Sequence, residues 1–459
     1  MIALLRRREV AITAYGIKTS RTLFVRRRGL TRAALLTLLL CGAARTSFAQ
    51  ATSDVVPTGR TEPIDRAIRA DLEQNRYHLG PIRLFPFVEI GNAGYNNNIF
   101  GTTDHKVADE TADLSAGARI LVPIGSKLFL RGTAAPTYIW YREHAEGRTF
   151  GGTYEAELAL LFNHLRLDGY GRDSRSSSLL NLESLRTVLA RTQVGHATAE
   201  VDVAGPVSLF GEAEKARYRF DANPRPEVFL EDPGVLNRNE ERVRAGFRLH
   251  RGEELSFSLA AENVRTTFSD PAQGGDNRSR ALLLGVRLDR SRFYVDVSAG
   301  YRDAEPIRGS RFREFRTATG SYFVSWTPRS SVELFVDGYR GAQYSLTVEN
   351  PYYLATSNGG GVNLRFGPRV TLRAFGNYDE NRYPVPVAAP EFQGRRLDKV
   401  VTYGGGFQWL LGRRLTVGVI GTEYHYDSNV PGAAGNVFRV TSVLSFQLSP
   451  IVSIKGGLS

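Results

Sequence analysis

The chain has 459 residues, a formal net charge of +12, and a single cysteine and methionine. Ten of its Lys and Arg residues lie in residues 1–49 against one acid, Glu9, which leaves 49 bases and 46 acids, a net of +3, for the remainder. A nucleic-acid partner needs positive charge on the folded part of the chain, so that class is set aside.

The leader explains the charge. Arg26-Arg27-Arg28 and Arg32 precede an apolar run from Ala33 to Ala44, and Ser47-Phe48-Ala49 places small residues at −3 and −1 of a cleavage site. This is the pattern of a secretory signal peptide over residues 1–49. A dozen apolar residues cannot span a hydrocarbon core ~30 Å thick, which argues against a membrane anchor. Cys41 falls inside the apolar run, so the processed chain has no thiol for disulfides, nucleophilic chemistry or metal binding. Beyond the leader no apolar stretch approaches the ~18–20 residues of a membrane helix.

Residues 50–80 read as a periplasmic linker with one short amphipathic helix. Pro63 starts it, Ile64, Ala67, Ile68 and Leu72 share a face, and Gly80-Pro81 stops it. The plain reading is a tether to the first strand; the functional ones are a periplasmic contact or a plug for a pore.

From Leu84 the period is two. Phe293, Val295, Val297, Ala299 and Tyr301 alternate with Arg292, Tyr294, Asp296, Ser298 and Arg302. Tyr154, Ala156, Leu158, Leu160 and Phe162 alternate with Glu155 and Glu157, and Val243, Ala245, Phe247 and Leu249 with Arg242, Arg244 and Arg248. Short turns such as Pro123–Lys127, Gly205-Pro206, Asp289–Ser291 and Gly367-Pro368 alternate with longer polar loops such as Gly101–Glu110, Ser174–Arg186, Ala222–Asn237 and Val385–Leu397. Tight periplasmic turns and long outer loops are the signature of an outer-membrane barrel, whereas Greek-key crossings would break the alternation in a sandwich. The predicted fold over residues 81–459 is therefore all-β, a large antiparallel transmembrane up-and-down β-barrel of about 18–20 strands behind a short N-terminal periplasmic helix. The count runs to about nineteen, with Ile451–Ser459 as the last crossing. Bacterial single-chain barrels have even counts, so the pattern predicts either a missing return strand or one miscounted element.

Charge costs roughly 2–4 kcal/mol for Arg facing lipid at the midplane, so charged positions on the polar face must face the lumen. The candidates are Arg131, Glu155, Glu157, Arg166, Asp168, Arg172, Glu200, Asp202, Arg242, Arg244, Arg248, Arg292, Asp296, Arg302, Arg365, Arg373 and Arg439. They allow either a hydrated pore of mixed charge or a lumen crosslinked by its own ion pairs. Tyr138, Trp140, Tyr141, Trp326 and Trp409, near strand ends, are the expected aromatic girdle at the lipid interface. A frame of Tyr, Asn or Asp, any residue, Asn recurs at Tyr95–Asn98, Tyr378–Asn381 and Tyr426–Asn429, where such residues cap turns; carboxylates are too few there for a Ca²⁺ site. No metal or cofactor is expected. HExxH and GxSxG motifs are absent, and the neighbourhood of His196 with Thr198, Glu200 and Asp202 follows from the pleat alone, so the reading is not an enzyme.

The run Gly80-Pro81-Ile82-Arg83-Leu84-Phe85-Pro86 leading into Gly94-Tyr95-Asn96-Asn97-Asn98-Ile99-Phe100 resembles the first strand of a family of porin-like outer-membrane β-barrel proteins often encoded beside exopolysaccharide synthesis genes. The resemblance implies a Gram-negative outer membrane and a role in surface-polysaccharide export or porin-like transport. It also implies outer-membrane lipid, lipopolysaccharide and the barrel assembly machinery as partners, with polysaccharide or small polar solutes as cargo. The alternative is a closed barrel that docks an envelope assembly without transport.

Overall fold

The computed structural model describes residues 77–447, except 103–105, 182, 222–231, 253, 271–273, 308, 348, 390–391, 413 and 432, together with Ile68, Arg69, Asp71 and Leu72. The leader, Ile64, Ala67 and the segment from Ile451 lie outside the described residues.

The strands run β1 (Tyr77–Leu79), β2 (Ile82–Asn96), β3 (Asp109–Ile124), β4 (Leu128–Tyr141), β5 (Thr149–Leu161) and β6 (Leu165–Leu179). They continue through β7 (Thr187–Ala204), β8 (Val207–Phe220), β9 (Arg238–Arg251), β10 (Leu255–Phe268), β11 (Asn277–Asp289) and β12 (Phe293–Pro306). The rest are β13 (Phe315–Arg329), β14 (Val332–Tyr344), β15 (Tyr352–Phe366), β16 (Val370–Ala389), β17 (Phe392–Leu411), β18 (Leu415–Ser428) and β19 (Gly435–Gln447). Each strand from β2 to β19 pairs antiparallel with the next, and β19 returns to β2 in a register from Arg439 opposite Asn96 to Gln447 opposite Phe87. The ring is thereby closed with eighteen strands. β1 is a short flap on β2, with Leu79 opposite Ile82. Closure leaves no unpaired edge, which is the condition for crossing lipid with strands. The eighteen strands fall within the expected 18–20, and the ring closes without the further crossing assigned to Ile451–Ser459.

Strand β11 shows why these residues make this barrel. Asn277, Ser279, Ala281 and Leu283 are buried inside while Arg278, Arg280, Leu282 and Leu284 are exposed outside. The outward face is apolar over the middle of each strand, with Leu282 and Leu284 facing out at 57% and 62% exposure. Outward charges gather at the long-loop ends and pair across strands, as in Lys215–Glu241 at 2.8 Å, Arg191–Asp173 at 2.5 Å and Arg316–Asp303 at 3.3 Å. Strands of 13–20 residues exceed the 9–11 that a membrane crossing needs, and the surplus carries this charged rim.

The short turns fall where expected. Gly205, with φ +53, opens the two-residue turn ahead of Pro206, a geometry open to glycine because it has no Cβ. Two long connections differ from expectation: Ser174–Leu179 belongs to β6, so the loop there is only 180–186. Val385–Leu397 is not a loop: β16 and β17 extend as a hairpin to Ala389 and Phe392, with a register shift between Arg382 and Pro386. Pro384 and Pro386 hid this extension, because proline lacks the ladder donor and is tolerated only at edges and bulges.

Candidate functional site: the charged lumen

The polar face of the sheet turns inward, as the alternation requires. Along the arc from β7 to β12 the charges neutralise one another across neighbouring strands. Glu262 on β10 accepts from Arg244 at 2.5 Å and from Arg302 at 2.7 Å, with its own side chain fully buried. Arg242 reaches Glu214 at 3.2 Å, Arg244 also lies 3.6 Å from Glu212, and Arg248 bonds Glu200 at 2.7 Å. Arg287 bonds Asp296 at 2.6 Å. Elsewhere Arg131 bonds Glu157 at 3.0 Å, Arg365 pairs with Glu333, and Arg172 stands opposite Glu155 in register. Arg166 stands opposite Glu200 but stays solvated, while Asp168 and Asp202 are half-buried on the same face. The arrangement crosslinks the wall: taking away one partner strands a buried charge, at a cost of about 3–5 kcal/mol.

From β12 to β16 the inner wall is aromatic. Tyr294, Phe323, Phe335 and Phe375 belong to one buried cluster, with Phe323 and Phe335 stacked at 6.2 Å between ring centres. Arg373 lies over Phe335 at 4.7 Å and over Phe375 at 5.6 Å, a cation–π contact inside the barrel. Arg439 on β19 donates to Thr187 Oγ1 at 2.8 Å.

Two expected positions move. Arg292 is exposed in the short turn between β11 and β12, not on the lumen wall. Tyr141 is not in the girdle. It shares the odd parity of Arg131, Thr137 and Ile139, points inward, and bonds Ser177 Oγ at 2.8 Å. The other expected aromatics face outward near the two ends of their strands. Tyr138 and Trp140 stand near the long loops, with Tyr138 against Phe150 at 5.0 Å and Arg148 over Trp140 at 5.6 Å. Trp326 and Trp409 stand near the short turns, about half exposed.

Both ends of the lumen receive inserted chain, which the alternation did not reveal. At the inner end, the described residues of the N-terminal helix lie against the inside of the wall: Ile68 is buried among Phe85, Leu121 and Phe129, and Asp71 accepts from Arg119 at 2.9 Å. Burial pushes the Asp71 carboxyl above the usual carboxylate range, against the pull of Arg119 and Arg131. At the outer end, the connection 180–186 folds inward. Leu180 N donates to Arg186 O at 2.7 Å, and Leu185 adopts φ +50, an uncommon conformation for a branched residue. Gly101, at φ +66, lets the loop after β2 approach it: a Cβ there would lie 2.3 Å from Ser184 O. Glu183 then accepts from Ser345 Oγ at 2.9 Å, Leu346 N at 3.0 Å and Arg396 at 3.2 Å. Those partners follow β14 and lie on β17, eight and seven strands along the ring from β6, so the loop crosses the mouth. Leu179 and Leu185 join the aromatic cluster of the far wall.

His196, which the pleat sets beside acids, bonds Thr198 Oγ1 at 2.8 Å, stacks on Tyr170 and faces Glu214 at 3.5 Å, as part of the crosslinked wall. In the repeated Tyr-Asn frame, Asn96 Oδ1 accepts from Asn98 N at 3.0 Å and Asn98 Oδ1 from Thr102 N at 3.1 Å, so these oxygens cap turns.

A closed ring of eighteen antiparallel strands with charge inside and apolar side chains outside defines a transmembrane β-barrel. No family model matches the chain, and no curated protein matches it. Among solved structures, Acinetobacter baumannii OccAB3 is similar at 9% identity over 80% of this chain and 99% of that one, with a TM-score of 0.47. Pseudomonas aeruginosa OccK2 (OpdF) is similar at 11% identity over 80% and 98% of the two chains, also at 0.47. The outer membrane protein opdK from Pseudomonas aeruginosa is similar at 9% identity over 81% and 100%, at 0.46.

Proposed function

We propose that the protein is a porin-like channel of the Gram-negative outer membrane, passing small polar solutes through a lumen constricted by the loop 180–186 and by the N-terminal helix. The observation that carries this reading is the inversion of polarity in an eighteen-stranded ring. Rings of sixteen to eighteen strands are wide enough for an aqueous passage, and the inner wall offers arginine and carboxylate to solutes rather than a sealed apolar core. The near-balance of Arg and Glu on the arc from β7 to β12 suits polar solutes of either sign. The charged outer rim above the apolar belt suits a lipopolysaccharide leaflet, and insertion would depend on the barrel assembly machinery. Planar-bilayer recording of the purified protein tests the channel: stable open steps are expected, and silence from correctly inserted protein would overturn it.

Export of surface polysaccharide is a narrower form of the same reading, supported by the resemblance of the Gly80–Phe100 run. A polymer would require the loop 180–186 to leave the mouth, so deletion of the gene should abolish surface polysaccharide while solute uptake in the intact strain stays loop-limited. The alternative, a closed docking barrel, is favoured by one observation: inward side chains at both ends are sealed, with Ser208, Thr266 and Asp398 at 0% exposure. It expects no conductance even after the loop is removed.

A further inference from the structure

At the long-loop end the strand register sets outward side chains of β8 to β12 in rungs around the outside of the barrel. One rung runs Lys215, Glu241, Arg265, Arg278 and Glu305, all of them exposed. The next, closer to the membrane, runs Ala213, Val243, Asn263, Arg280 and Asp303, and Asp303 faces Arg316 on β13. Arg265 and Arg278 thus stand directly opposite each other, a like-charge pairing that destabilises a sheet. The acid in register with Arg265 is Glu241, which Lys215 holds at 2.8 Å. The acid in register with Arg278 is Glu305, which lies 3.7 Å from Arg280. Arg316 holds Asp303 at 3.3 Å, and Asp276, in the loop between β10 and β11, accepts from Phe268 N at 2.7 Å. With these acids, and with Asp270 of the same loop, Arg265 and Arg278 make no ion pair or hydrogen bond among the described residues. Other arginines of this rim have a carboxylate of their own: Arg142 holds Glu110 at 2.8 Å, Arg175 holds Asp221 at 2.8 Å and Arg382 holds Glu380 at 2.5 Å.

Charge and depth select the ligand. Over the two rungs from β8 to β13, the five cations Lys215, Arg265, Arg278, Arg280 and Arg316 face the three carboxylates Glu241, Asp303 and Glu305, so two positive charges are left over. A phosphomonoester carries about −1.5 to −2 at neutral pH and accepts from several arginines at once, whereas a carboxylate or a phosphodiester carries one charge. The rung below the charges runs Gly211, Ala245, Ala261, Leu282 and Tyr301, which places the guanidiniums on the outside of the barrel, at the upper edge of its lipid-facing band. Gly211, Ala245 and Ala261 lie almost flush with the backbone beside Leu282, which protrudes at 57% exposure, and this step makes a shallow apolar recess three strands wide. We propose that Arg265, Arg278 and Arg280, with the Asn263 amide, bind a phosphate of the acylated glycolipid anchor of lipopolysaccharide, and that an acyl chain of the same molecule lies on Gly211, Ala245 and Ala261. The site sharpens the functional reading by placing one lipid on one arc of the rim, and it rests on the outer-membrane orientation, not on conductance.

Native mass spectrometry of the full-length protein refolded in detergent, titrated with diphosphoryl lipid A in the presence of EDTA, tests it. Arg265 and Arg278 are exposed and outward, so R265Q/R278Q leaves the strand pairing intact, and heat-modifiable gel mobility verifies each variant. The unaltered chain should retain one lipid A, and R265Q/R278Q should bind it about tenfold more weakly, two charges at the membrane surface having been removed. R142Q/R382Q removes the same charge from paired sites on other arcs and should keep the full affinity. Neither phosphatidylglycerol nor a molar excess of inorganic phosphate should displace the lipid. Equal affinity in R265Q/R278Q, or an equal loss in R142Q/R382Q, would overturn the proposal. Displacement by inorganic phosphate would show a site for free anions, and displacement by phosphatidylglycerol a general lipid surface; either result overturns it too. The two readings fail separately. Lipid A retention by a barrel silent in bilayers ends the channel reading alone, and a conducting barrel whose lipid A binding ignores R265Q/R278Q ends this one alone.

Discussion

Glu183, in the loop after β6, lies 3.2 Å from Arg396 on β17, although 213 residues separate them. The contact ties the loop across the mouth to the far wall, where Asp398, Tyr383 and Tyr426 hold Arg396 in turn. Glu183→Gln keeps the shape and removes the charge, and Arg396 keeps Asp398. The loss should therefore be local, at the low end of the ~3–5 kcal/mol for breaking a buried pair. Local opening rises with that loss, so trypsin should cut after the buried Arg186 on the order of tenfold faster or more while the barrel's unfolding midpoint stays put. An unchanged cleavage rate would show that Leu179, Leu180 and Leu185 alone hold the loop.

The lumen network predicts a reversal of ordinary core rules. Glu262 compensates Arg244 and Arg302 at once, so Glu262→Gln removes the carboxylate the two arginines share and should destabilise by about 3–5 kcal/mol. Leu282, one strand away and outward, should also cost about 2–4 kcal/mol when changed to Arg near the midplane. Leu282→Ala should cost much less, since an outward side chain exchanges protein for lipid of similar polarity. Denaturant titration with folding into vesicles orders the three. A tolerated Leu282→Arg would mean that this face does not meet lipid.

The ring was legible because a strand's two faces are written at every second residue. The same rule would have placed Tyr141 correctly, since its odd number sets it with Arg131 and against Trp140; grouping it with neighbouring aromatics overrode the parity. Glu262 and Arg119, absent from the sequence candidates, also sit at inward parity on their strands. Glu183 and Asp71 had no such signal. One lies in a loop and the other in a helix, and whether such a segment turns into a lumen depends on partners hundreds of residues away, Ser345 and Arg396 for the first, or tens away, Arg119 and Arg131 for the second. Arg292 failed for a simpler reason: the alternation ran one residue past the end of its strand into the turn.

All three tryptophans of the chain, Trp140, Trp326 and Trp409, face outward near the ends of strands. Indole rings settle at the headgroup level because one edge is polar. The fluorescence of the whole protein should therefore report the two interfaces. In vesicles, lipids brominated near the headgroup should quench it more strongly than lipids brominated near the chain ends. Equal or deeper quenching by the chain-end bromines would place the belts inside the hydrocarbon and shift the barrel along the membrane normal.

The glycine runs of β15 and β17 make the sharpest steric prediction. Phe335 on β14 stands level with Gly361, and Phe375 on β16 stands level with Gly404. Each ring lies flat over its glycine: a Cβ at Gly361 would come within 2.7 Å of Phe335 Cζ, and one at Gly404 within 2.7 Å of Phe375 Cζ. Backbone closes the other side, with Ala374 O at 2.4 Å and Gly421 O at 2.5 Å, so neither site can relax by swinging a flexible chain. Gly361→Ala and Gly404→Ala should each destabilise by about 1–3 kcal/mol, the usual cost of overpacking, and lift the ring above them from the wall. Gly171→Ala, where a Cβ meets nothing within 4 Å, is the matched control. Because Arg373 lies across both rings, lifting either one should also displace its guanidinium. Pairing Gly361→Ala with Phe335→Leu removes the clash and should recover much of the lost stability. Additive losses in that double variant would show that the ring does not rest on the glycine.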